Sequence, residues 1–351
     1  MQTNTNPIPN DEKKLVSIIL PAYNEAIILS KSVETICQYI QNLTQYHWEI
    51  LIVNDGSKDN TGAIANELAQ KYPIIRVLHH VVNLNLGNAL KTGFANSKGD
   101  YVVTLDIDLS YSVEHIGMLL DTIETTCSDM VLASPYMKGG KVTAVPFFRK
   151  VMSRMVNKLM GFAAQEKYHT FTSMVRAYKG DFIRSLNLKT KNFEISPEII
   201  YKAMILRARI IEIPAHLDWS FQNKSGRMSG LRVFQEIFSS LMASFIFRPY
   251  IYFIGAGAFL FFVFLYVLTW IIINVYKIYP TIVVSSSYFD DRFSMAVAKV
   301  FSQRPHAFFI GGFLLIVALQ FLSMGFLSLQ NKRYFEESFH INTSILKKIK
   351  N

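Results

Sequence analysis

Two long stretches without a formal charge constrain this chain more than any other feature of its sequence. Twenty-eight uncharged residues lie between Arg248 and Lys277, and twenty-seven lie between Arg304 and Lys332. A helix needs about 20 apolar residues to cross the hydrocarbon core of a bilayer. Two mainly apolar helices of this length are hard to bury in one domain of modest size. We therefore predict transmembrane helices over residues 249–276 and 305–331.

The positions of Lys and Arg around these spans predict the orientation of the chain, because basic residues near span ends are enriched on the cytoplasmic side. Nine Lys and Arg residues lie before the first span or after the second, and four lie in the loop between the spans. Both termini, including the tail 332–351, are therefore expected in the cytoplasm, and the loop 277–304 outside it. The nine are Lys224, Arg227, Arg232, Arg248, Lys332, Arg333, Lys347, Lys348 and Lys350, and the four are Lys277, Arg292, Lys299 and Arg304.

The region before the spans alternates between segments of strand and helix length. Each of five apolar runs precedes a loop, and helical spacing follows in stretches such as 27–43 and 61–71. Such alternation predicts an α/β fold with a mostly parallel sheet, in which ligands bind beyond the carboxyl ends of the strands. We place this domain at residues 15–230, after a flexible tail over 1–14. The five runs are LVSIIL, WEILIVND, IIRVLHH, YVVTLDID and DMVLAS.

Three further segments have amphipathic character. FFRKVMSRMVNKLMGF (147–162) has a basic side, which on charge alone is typical of a solvated helix face. Residues 231–248 are predicted to form a juxtamembrane helix on the membrane surface. FDDRFSMAVAKVF, in the loop between the spans, is placed on the opposite membrane surface. Glycines within the spans are compatible with close helix packing or a homo-oligomer; they are Gly255, Gly257, Gly311 and Gly312.

Composition and motif content exclude several other classes of protein. Half of the residues are hydrophobic and the net charge is +10, so the chain is not disordered. Cys37 and Cys127 are too few for a disulfide framework or a cysteine-based zinc site. Neither GxGxxG nor GxxxxGK[ST] occurs, and no nucleic-acid partner is expected. The histidines lack metal-ligand spacing and are predicted to be surface or core residues; among them are His79, His80, His169 and His216.

Polar motifs follow the first two predicted strands. Pro21-Ala22-Tyr23-Asn24-Glu25 ends the first, and Asn54-Asp55-Gly56-Ser57 ends the second. A carboxylate at a strand end, followed by Gly-Ser and a helix, suits hydrogen bonding to ribose or base donors of a nucleotide. Either motif alone equally fits an ordinary turn, with Asp55 as the N-cap of the next helix.

A pair of carboxylates gives a sharper signal. Asp106 and Asp108, in LDIDLS, follow the predicted strand YVVTL. At a strand end, both can reach one hard divalent cation whose oxygen shell a diphosphate completes. The sequence therefore predicts a Mg²⁺ or Mn²⁺ site that neutralises a departing nucleoside diphosphate.

These motifs occur in the order and spacing of family 2 glycosyltransferases of GT-A fold, together with NLNLGNALKTG and FEISPEIIYKA…IIEIP. Over about residues 15 to 245 the chain resembles, more narrowly, the dolichyl-phosphate mannosyltransferase and polyisoprenyl-phosphate glycosyltransferase group, whose bacterial members carry two C-terminal spans. The resemblance implies a metal-dependent hexosyltransferase in a prokaryotic plasma membrane. It would move a sugar, with inversion, from a UDP-hexose or GDP-mannose donor to undecaprenyl or dolichyl phosphate. The two-span layout slightly favours a UDP-hexose.

The resemblance also implies roles for individual residues. It assigns the lipid phosphate to Arg149 and Ser153, which places the basic helix 147–162 at the acceptor site. It assigns the metal to Asp106, Asp108 and Ser110, and makes Asp108, Arg149 and Ser153 the catalytic group. The nucleotide would contact Pro21, Tyr23, Glu25, Val53, Asp55, Leu105, Asp106, Ile107 and Arg227.

Three positions depart from the family's pattern. The usual Ser/Thr-Arg-Tyr is Ser134-Pro135-Tyr136, the Asp of D-x-T-S-G-F-R is Thr170, and the Arg before the GxSK segment is replaced near Trp219. Losing a bidentate phosphate ligand is not conservative. A catalytically silent nucleotide-sugar binder, or a transferase with another acceptor, is therefore an alternative. A processive polysaccharide synthase is disfavoured because no Trp follows an Arg, and a transporter because the spans carry no charge.

Overall fold

The computed structural model describes residues 13–164, 168–220, 249–283 and 291–350. Arg227, the predicted juxtamembrane helix and most of the predicted N-terminal tail lie outside these residues. The chain divides into two compact units, Met1–Ser244 with His340–Asn351 and Phe245–Phe339.

Strand and helix alternate through the first part of the α/β unit, as the apolar runs predict. The helix predicted over 61–71 is present residue for residue, whereas the one predicted over 27–43 is shorter at both ends. The elements are β1 (Lys14–Ala22), α1 (Leu29–Ile40), β2 (Tyr46–Asn54), α2 (Thr61–Lys71), β3 (Ile75–His79), α3 (Leu86–Asn96), β4 (Tyr101–Thr104), α4 (Glu114–Thr125) and β5 (Met130–Ser134).

The second part of the unit is less regular. The helix predicted over 147–162 is confirmed as α5, and short strands and helices surround it. The elements are β6 (Lys141–Thr143), α5 (Phe147–Ala164), β7 (Arg176–Lys179), α6 (Gly180–Ser185), α7 (Ile195–Ile205), β8 (Ile210–Pro214) and β9 (His216–Asp218).

The main sheet has the strand order β3-β2-β1-β4-β7-β5-β8, and β6 and β9 pair in a separate small sheet. All neighbours in the main sheet are parallel except β7, which runs antiparallel to β4 and β5. The register of β1 on β2 places Ala22 opposite Asn54, and Leu105 donates its N–H to Ile19 O at 3.2 Å. The motifs after β1, β2 and β4 therefore lie at one edge of the sheet.

Burial of both sheet faces explains why the strands are continuous apolar runs. Ile18, Leu20, Ile50, Ile52 and Val103 are fully buried in the core. Full burial of such a side chain contributes about 1.5–3 kcal/mol. The central strands are therefore a rigid support for the loops at their carboxyl ends.

The second unit contains two helices that are long and apolar enough to cross a membrane, over Pro249–Thr281 and Pro305–Asn342. Its elements are α8 (Pro249–Ile278), a 3₁₀ turn (Tyr279–Thr281), α9 (Arg292–Gln303) and the part of α10 (Pro305–Lys350) up to Phe339; α10 thus continues past residue 331. A Cβ at Gly257 would lie 2.9 Å from Leu322 Cγ, whereas one at Gly255 or Gly312 would meet nothing within 4 Å. Among the predicted glycines, Gly257 therefore permits the close approach of α8 and α10.

Candidate active site

Asp55 follows β2 at the carboxyl edge of the sheet and is held by several hydrogen bonds. The residue is only 3% exposed, and its N–H donates to Ala22 O at 2.8 Å. Its Oδ1 lies 2.6 Å from His80 Nδ1 and accepts the Leu84 N–H at 2.9 Å. Asn60, not Asp55, is the N-cap of α2. The alternative role of Asp55 as a helix cap is therefore wrong.

His80 is a site residue that the sequence analysis missed. Its Nε2 lies 2.9 Å from Thr92 Oγ1 on α3, so both ring nitrogens have partners and the imidazole fixes the Asp55 carboxylate. The strand β3 pairs with β2 so that His79 lies opposite Asn54. The signal that identifies His80 is its place at the end of β3, the strand that pairs with β2, and not any metal-ligand spacing.

Gly56 is required by the turn that follows Asp55. Its φ is +65°, and a Cβ on it would lie 2.3 Å from the backbone carbon of Val82. We expect Gly56→Ala to lower the stability of the unit by more than the roughly 1–2 kcal/mol of left-handed backbone strain, because a backbone contact must also open. Thermal unfolding and nucleotide binding would both report the change. Gly255→Ala, with nothing within 4 Å, is the matched control, and equal melting temperatures for the two variants would contradict the prediction.

Hydrogen bonds join the loop after β1 to the loop after β2. The Asn24 N–H donates to Ser57 Oγ at 3.0 Å, and the Glu25 N–H donates to Thr61 Oγ1 at 2.7 Å. Tyr23 is 41% exposed and available to a ligand. These hydrogen bonds thus hold together the two motifs that are predicted to contact the nucleotide.

The carboxylates after β4 lie on a tight turn. Asp106 and Asp108 are half-buried, and Asp108 Oδ1 accepts the Ser110 N–H at 2.9 Å. Leu105 and Ile107, predicted to contact the nucleotide, are buried in the core. Their backbone groups, not their side chains, are therefore the parts suited to meet a diphosphate.

The two carboxylates fit a divalent cation as part of its shell. Across the described ranges, no group of three or more His, Cys, Asp or Glu side chains could hold a metal ion. Mg²⁺ is commonly bound through one or two carboxylates, with substrate phosphates and water supplying the other oxygens. Asp106 and Asp108 match that pattern, so a bound diphosphate would complete the site.

A buried phenol lies directly after this turn. Tyr111 is 6% exposed; burial raises its pKa, and the charge of Asp106 raises it further, against a hydrogen bond from Ser173 that lowers it. Tyr111 is therefore neutral at physiological pH. Tyr111 therefore adds no charge near Asp106.

Two departures from the family's pattern, Pro135 and Thr170, are linked through Ser134. Ser134 Oγ and Thr170 Oγ1 form a 2.7 Å hydrogen bond, and both residues are buried. The Thr170 N–H donates to Glu212 Oε1 at 2.9 Å. The Thr170 hydroxyl, at the position of the family's Asp, thus bonds to Ser134, the residue before Pro135.

Aromatic rings support two arginines of α5. Arg149 Cζ lies 4.0 Å from the centroid of the Trp219 ring, and Arg154 Cζ lies 5.7 Å from that of Tyr136. Ser153 lies one helical turn after Arg149, and its carbonyl accepts a hydrogen bond from Asn157 Nδ2 at 2.9 Å. Trp219 lies in the region where the family's Arg is missing. Through the Trp219 ring, this region still contacts the basic helix α5.

Two consecutive residues connect the carboxylate turn to the basic helix. The Asp218 N–H donates to Ser110 O at 2.8 Å, and the next residue, Trp219, stacks on Arg149. The predicted metal turn and the predicted acceptor residue Arg149 therefore both contact one two-residue segment. Arg227 lies outside the described residues.

The fold and these carboxylates define the chain as a GT-A glycosyltransferase domain followed by two candidate membrane spans. The family model described as Glycosyl transferase family 2 matches residues 17–186. The polyprenol monophosphomannose synthase of Mycolicibacterium smegmatis is 30% identical over 204 residues, 56% of this chain and 75% of that protein. The chain belongs to glycosyl transferase family 2.

Other relatives differ in the sugar that their names specify. The dolichol-phosphate mannosyltransferase of Pyrococcus furiosus is 30% identical over 225 residues, 63% of this chain and 61% of that protein. The undecaprenyl-phosphate 4-deoxy-4-formamido-L-arabinose transferase of Edwardsiella ictaluri is 30% identical over 203 residues, 57% of this chain and 59% of that protein. The chain thus spans about three fifths of the length of these two relatives.

Proposed function

We propose that this protein transfers a sugar from a nucleoside-diphosphate sugar to a polyprenyl phosphate at a membrane surface. The observation that carries the proposal is the 218–219 segment, which contacts Ser110 in the Asp108 turn and Arg149 on α5. The donor diphosphate at the Asp108 turn and the acceptor phosphate at Arg149 would then be linked by one short segment. The three relatives' names all specify a lipid phosphate, dolichol, polyprenol or undecaprenyl, which supports this acceptor class.

The proposed reaction is a single in-line displacement. An acceptor phosphate oxygen forms a bond to the anomeric carbon as the bond from that carbon to the nucleoside diphosphate breaks, which inverts the configuration. A phosphate monoester has its second pKa near 6, so the nucleophile is largely ionised at neutral pH. The protein therefore needs no strong general base, and its task is to position two charged groups.

Named residues divide this task. Asp106 and Asp108 would hold a Mg²⁺ or Mn²⁺ ion, which supplies charge neutralisation to the leaving diphosphate. The guanidinium of Arg149, oriented by Trp219, would hold the acceptor phosphate, with the Ser153 hydroxyl one turn further along α5. Holding both reactants in place is a recognised source of rate acceleration.

The hydrogen bonds of Asp55 favour a uridine donor over a guanosine donor. Oδ1 is occupied by His80 and Leu84, and no hydrogen bond from the described residues reaches Oδ2. One remaining acceptor matches the single ring N–H of uracil, whereas guanine presents two adjacent donors that pair best with both carboxylate oxygens. We therefore propose a UDP-sugar as donor.

One experiment tests the reaction and the donor together. The full chain in detergent would receive Mg²⁺ or Mn²⁺, polyprenyl phosphate and a panel of radiolabelled UDP- and GDP-sugars, with Asp108→Ala alongside. We expect metal-dependent label in an organic-soluble product from a UDP-sugar, and none with the variant. Transfer only from GDP-sugars would overturn the donor base. Nucleotide binding without transfer from any donor would favour the silent binder, against which the retained Asp106/Asp108 pair argues.

Trp219 is predicted to act on the acceptor through Arg149. A cation–π contact contributes about 0.5–2 kcal/mol, so we expect Trp219→Leu to raise the KM for polyprenyl phosphate by roughly 2- to 30-fold and to leave the donor KM unchanged. Trp219→Phe retains an aromatic ring and should recover most of the affinity. Equal acceptor KM values for the Leu variant and the wild type would contradict this role.

The charge count around the spans leads us to propose that the α/β unit is cytoplasmic. Cys127 is exposed and Cys37 is buried, so one native thiol can report the location. We expect a membrane-impermeant maleimide to label Cys127 only after cells are permeabilised. Cys127→Ser is the control for labelling at other sites, and labelling of Cys127 in intact cells would reverse the proposed topology.

A further inference from the structure

The two candidate spans carry an aromatic–cation pair near each end. Lys332 Nζ lies 5.3 Å from the Tyr250 ring centroid, and Arg304 Cζ lies 5.0 Å from that of Trp270. From 250 to 270, at 1.5 Å per residue, α8 rises about 30 Å, which is the thickness of the hydrocarbon core. Aromatic side chains with long basic neighbours are typical of membrane–water interfaces. The two pairs therefore mark the two surfaces of the bilayer.

Helix α9 lies at the surface marked by Trp270 and Arg304. It ends at Gln303, directly before Arg304. Ala296 and Val300 are buried in a small cluster with Val275 of α8. One face of α9 is thus fixed against the end of the first span.

A second face of α9 is apolar and faces away from the protein. Phe293 is 60% exposed and Phe301 is 41% exposed, whereas Val297, between them along the helix, is partly buried against the cluster. The Phe301 ring lies 5.9 Å from that of Phe309, which is 69% exposed on the first turn of α10. The apolar row is therefore continuous with the outer surface of the second span. A groove of about 450 Å³ along it is lined by Phe293, Ser294, Val297, Ala298, Phe301 and Phe308.

We propose that α9 is an interfacial helix that inserts this apolar row into the lipid leaflet, with the groove taking an acyl chain. Continuity with the span surface supports lipid as the occupant. Four basic residues surround the helix, and their charge complements anionic headgroups; they are Lys277, Arg292, Lys299 and Arg304.

Spin labels on the full chain in nanodiscs containing anionic phospholipid test this placement. Single cysteines would be introduced by Phe293→Cys and Phe301→Cys on the apolar row, and by Lys299→Cys as an exposed control on another face, in a Cys37→Ala, Cys127→Ser background. The accessibility of each label to oxygen, which partitions into lipid, would be compared with its accessibility to a water-soluble nickel complex. We expect the oxygen-to-nickel ratio to be several-fold higher at 293 and 301 than at 299.

Two results would overturn the proposal. Equal ratios at all three positions would place α9 in water. Low accessibility to both reagents at 293 and 301 would show that another protein surface covers the row. Each labelled variant must first elute as a monodisperse peak, which shows that it is folded. If only one of the two apolar-row variants folds, its comparison with the Lys299 variant is sufficient.

Discussion

Replacing Asp108 with Asn is expected to reduce kcat by about 100- to 1000-fold, the usual cost of removing one group that stabilises developing charge. Asn retains an Oδ1 atom that can accept the Ser110 N–H now bound at 2.9 Å, so the turn should keep its shape. The variant removes only the negative charge. Initial rates at saturating donor and acceptor, together with a Mn²⁺ titration, would measure the loss and any weakening of metal binding.

Asp121→Asn is the matched control for this variant. Asp121 is an exposed carboxylate on α4, so the same chemical change there should leave kcat unaltered. If Asp108→Asn kept a rate within twofold of the wild type, the carboxylate pair would have no part in holding the diphosphate. The assignment of Asp106 and Asp108 to a metal would then have to be abandoned.

Replacing Lys202 with Met should produce a large loss of stability in the α/β unit. Lys202 Nζ lies 2.5 Å from Glu198 Oε1, with the two side chains 5% and 1% exposed. Removing one partner of a buried ion pair leaves the other charge buried, at a cost of about 3–5 kcal/mol. We expect the melting temperature of the full chain in detergent to fall by roughly 6–20 °C.

The reason for this sensitivity is the position of the pair within the fold. Glu198 also accepts the Lys189 and Thr190 N–H groups at 2.8 and 2.9 Å. The carbonyl of the next residue, Lys191, accepts the N–H of Gly87 on α3 at 2.8 Å. The pair thus anchors a segment that contacts α3. Lys189→Met is the matched control, because the Lys189 side chain is exposed and surface substitutions usually change stability by less than 0.5 kcal/mol. Equal melting temperatures for the two variants would show that the buried pair does not stabilise the unit.

The same pair gives a pH dependence with a defined sign. Burial acts to raise the pKa of Glu198, but hydrogen bonds from Lys202 and Thr190 outweigh it, and the net pKa is lowered. A carboxyl whose pKa is lower in the folded state stabilises the fold above its unfolded pKa of about 4.3, and that stabilisation is lost as pH falls through the folded value. Glu198→Gln should therefore flatten the fall of melting temperature below about pH 4.3.

Sequence periodicity predicted the elements whose form depends on local pattern. The five apolar runs correspond to β1 to β5, and α2 occupies the predicted residues, because strands buried on both faces need uninterrupted apolar side chains. The placement of Asp55, Asp106 and Asp108 at one edge also followed from sequence, since parallel strands end at the same edge. Each of these inferences needed only residues close together in the chain.

The irregular elements could not be predicted from local sequence patterns. The strand β7 inserts antiparallel between β4 and β5, and four residues carry no pattern that fixes their direction. Its Arg176 is fully buried and donates to Ser196 O and Phe171 O, both at 2.8 Å. A buried guanidinium needs such partners to offset its desolvation, and one of them, the Ser196 carbonyl, lies 20 residues away.

The sequence by itself determined the α/β class, the two apolar helices and the order of the polar motifs, because hydrophobic periodicity and charge are local properties. Only the tertiary structure decided which partners complete each site residue. His80 meets Asp55 across 25 residues, and Trp219 meets Arg149 across 70 residues. Such contacts depend on how strands are ordered in the sheet, and strand order arises from packing of the whole domain rather than from any one segment.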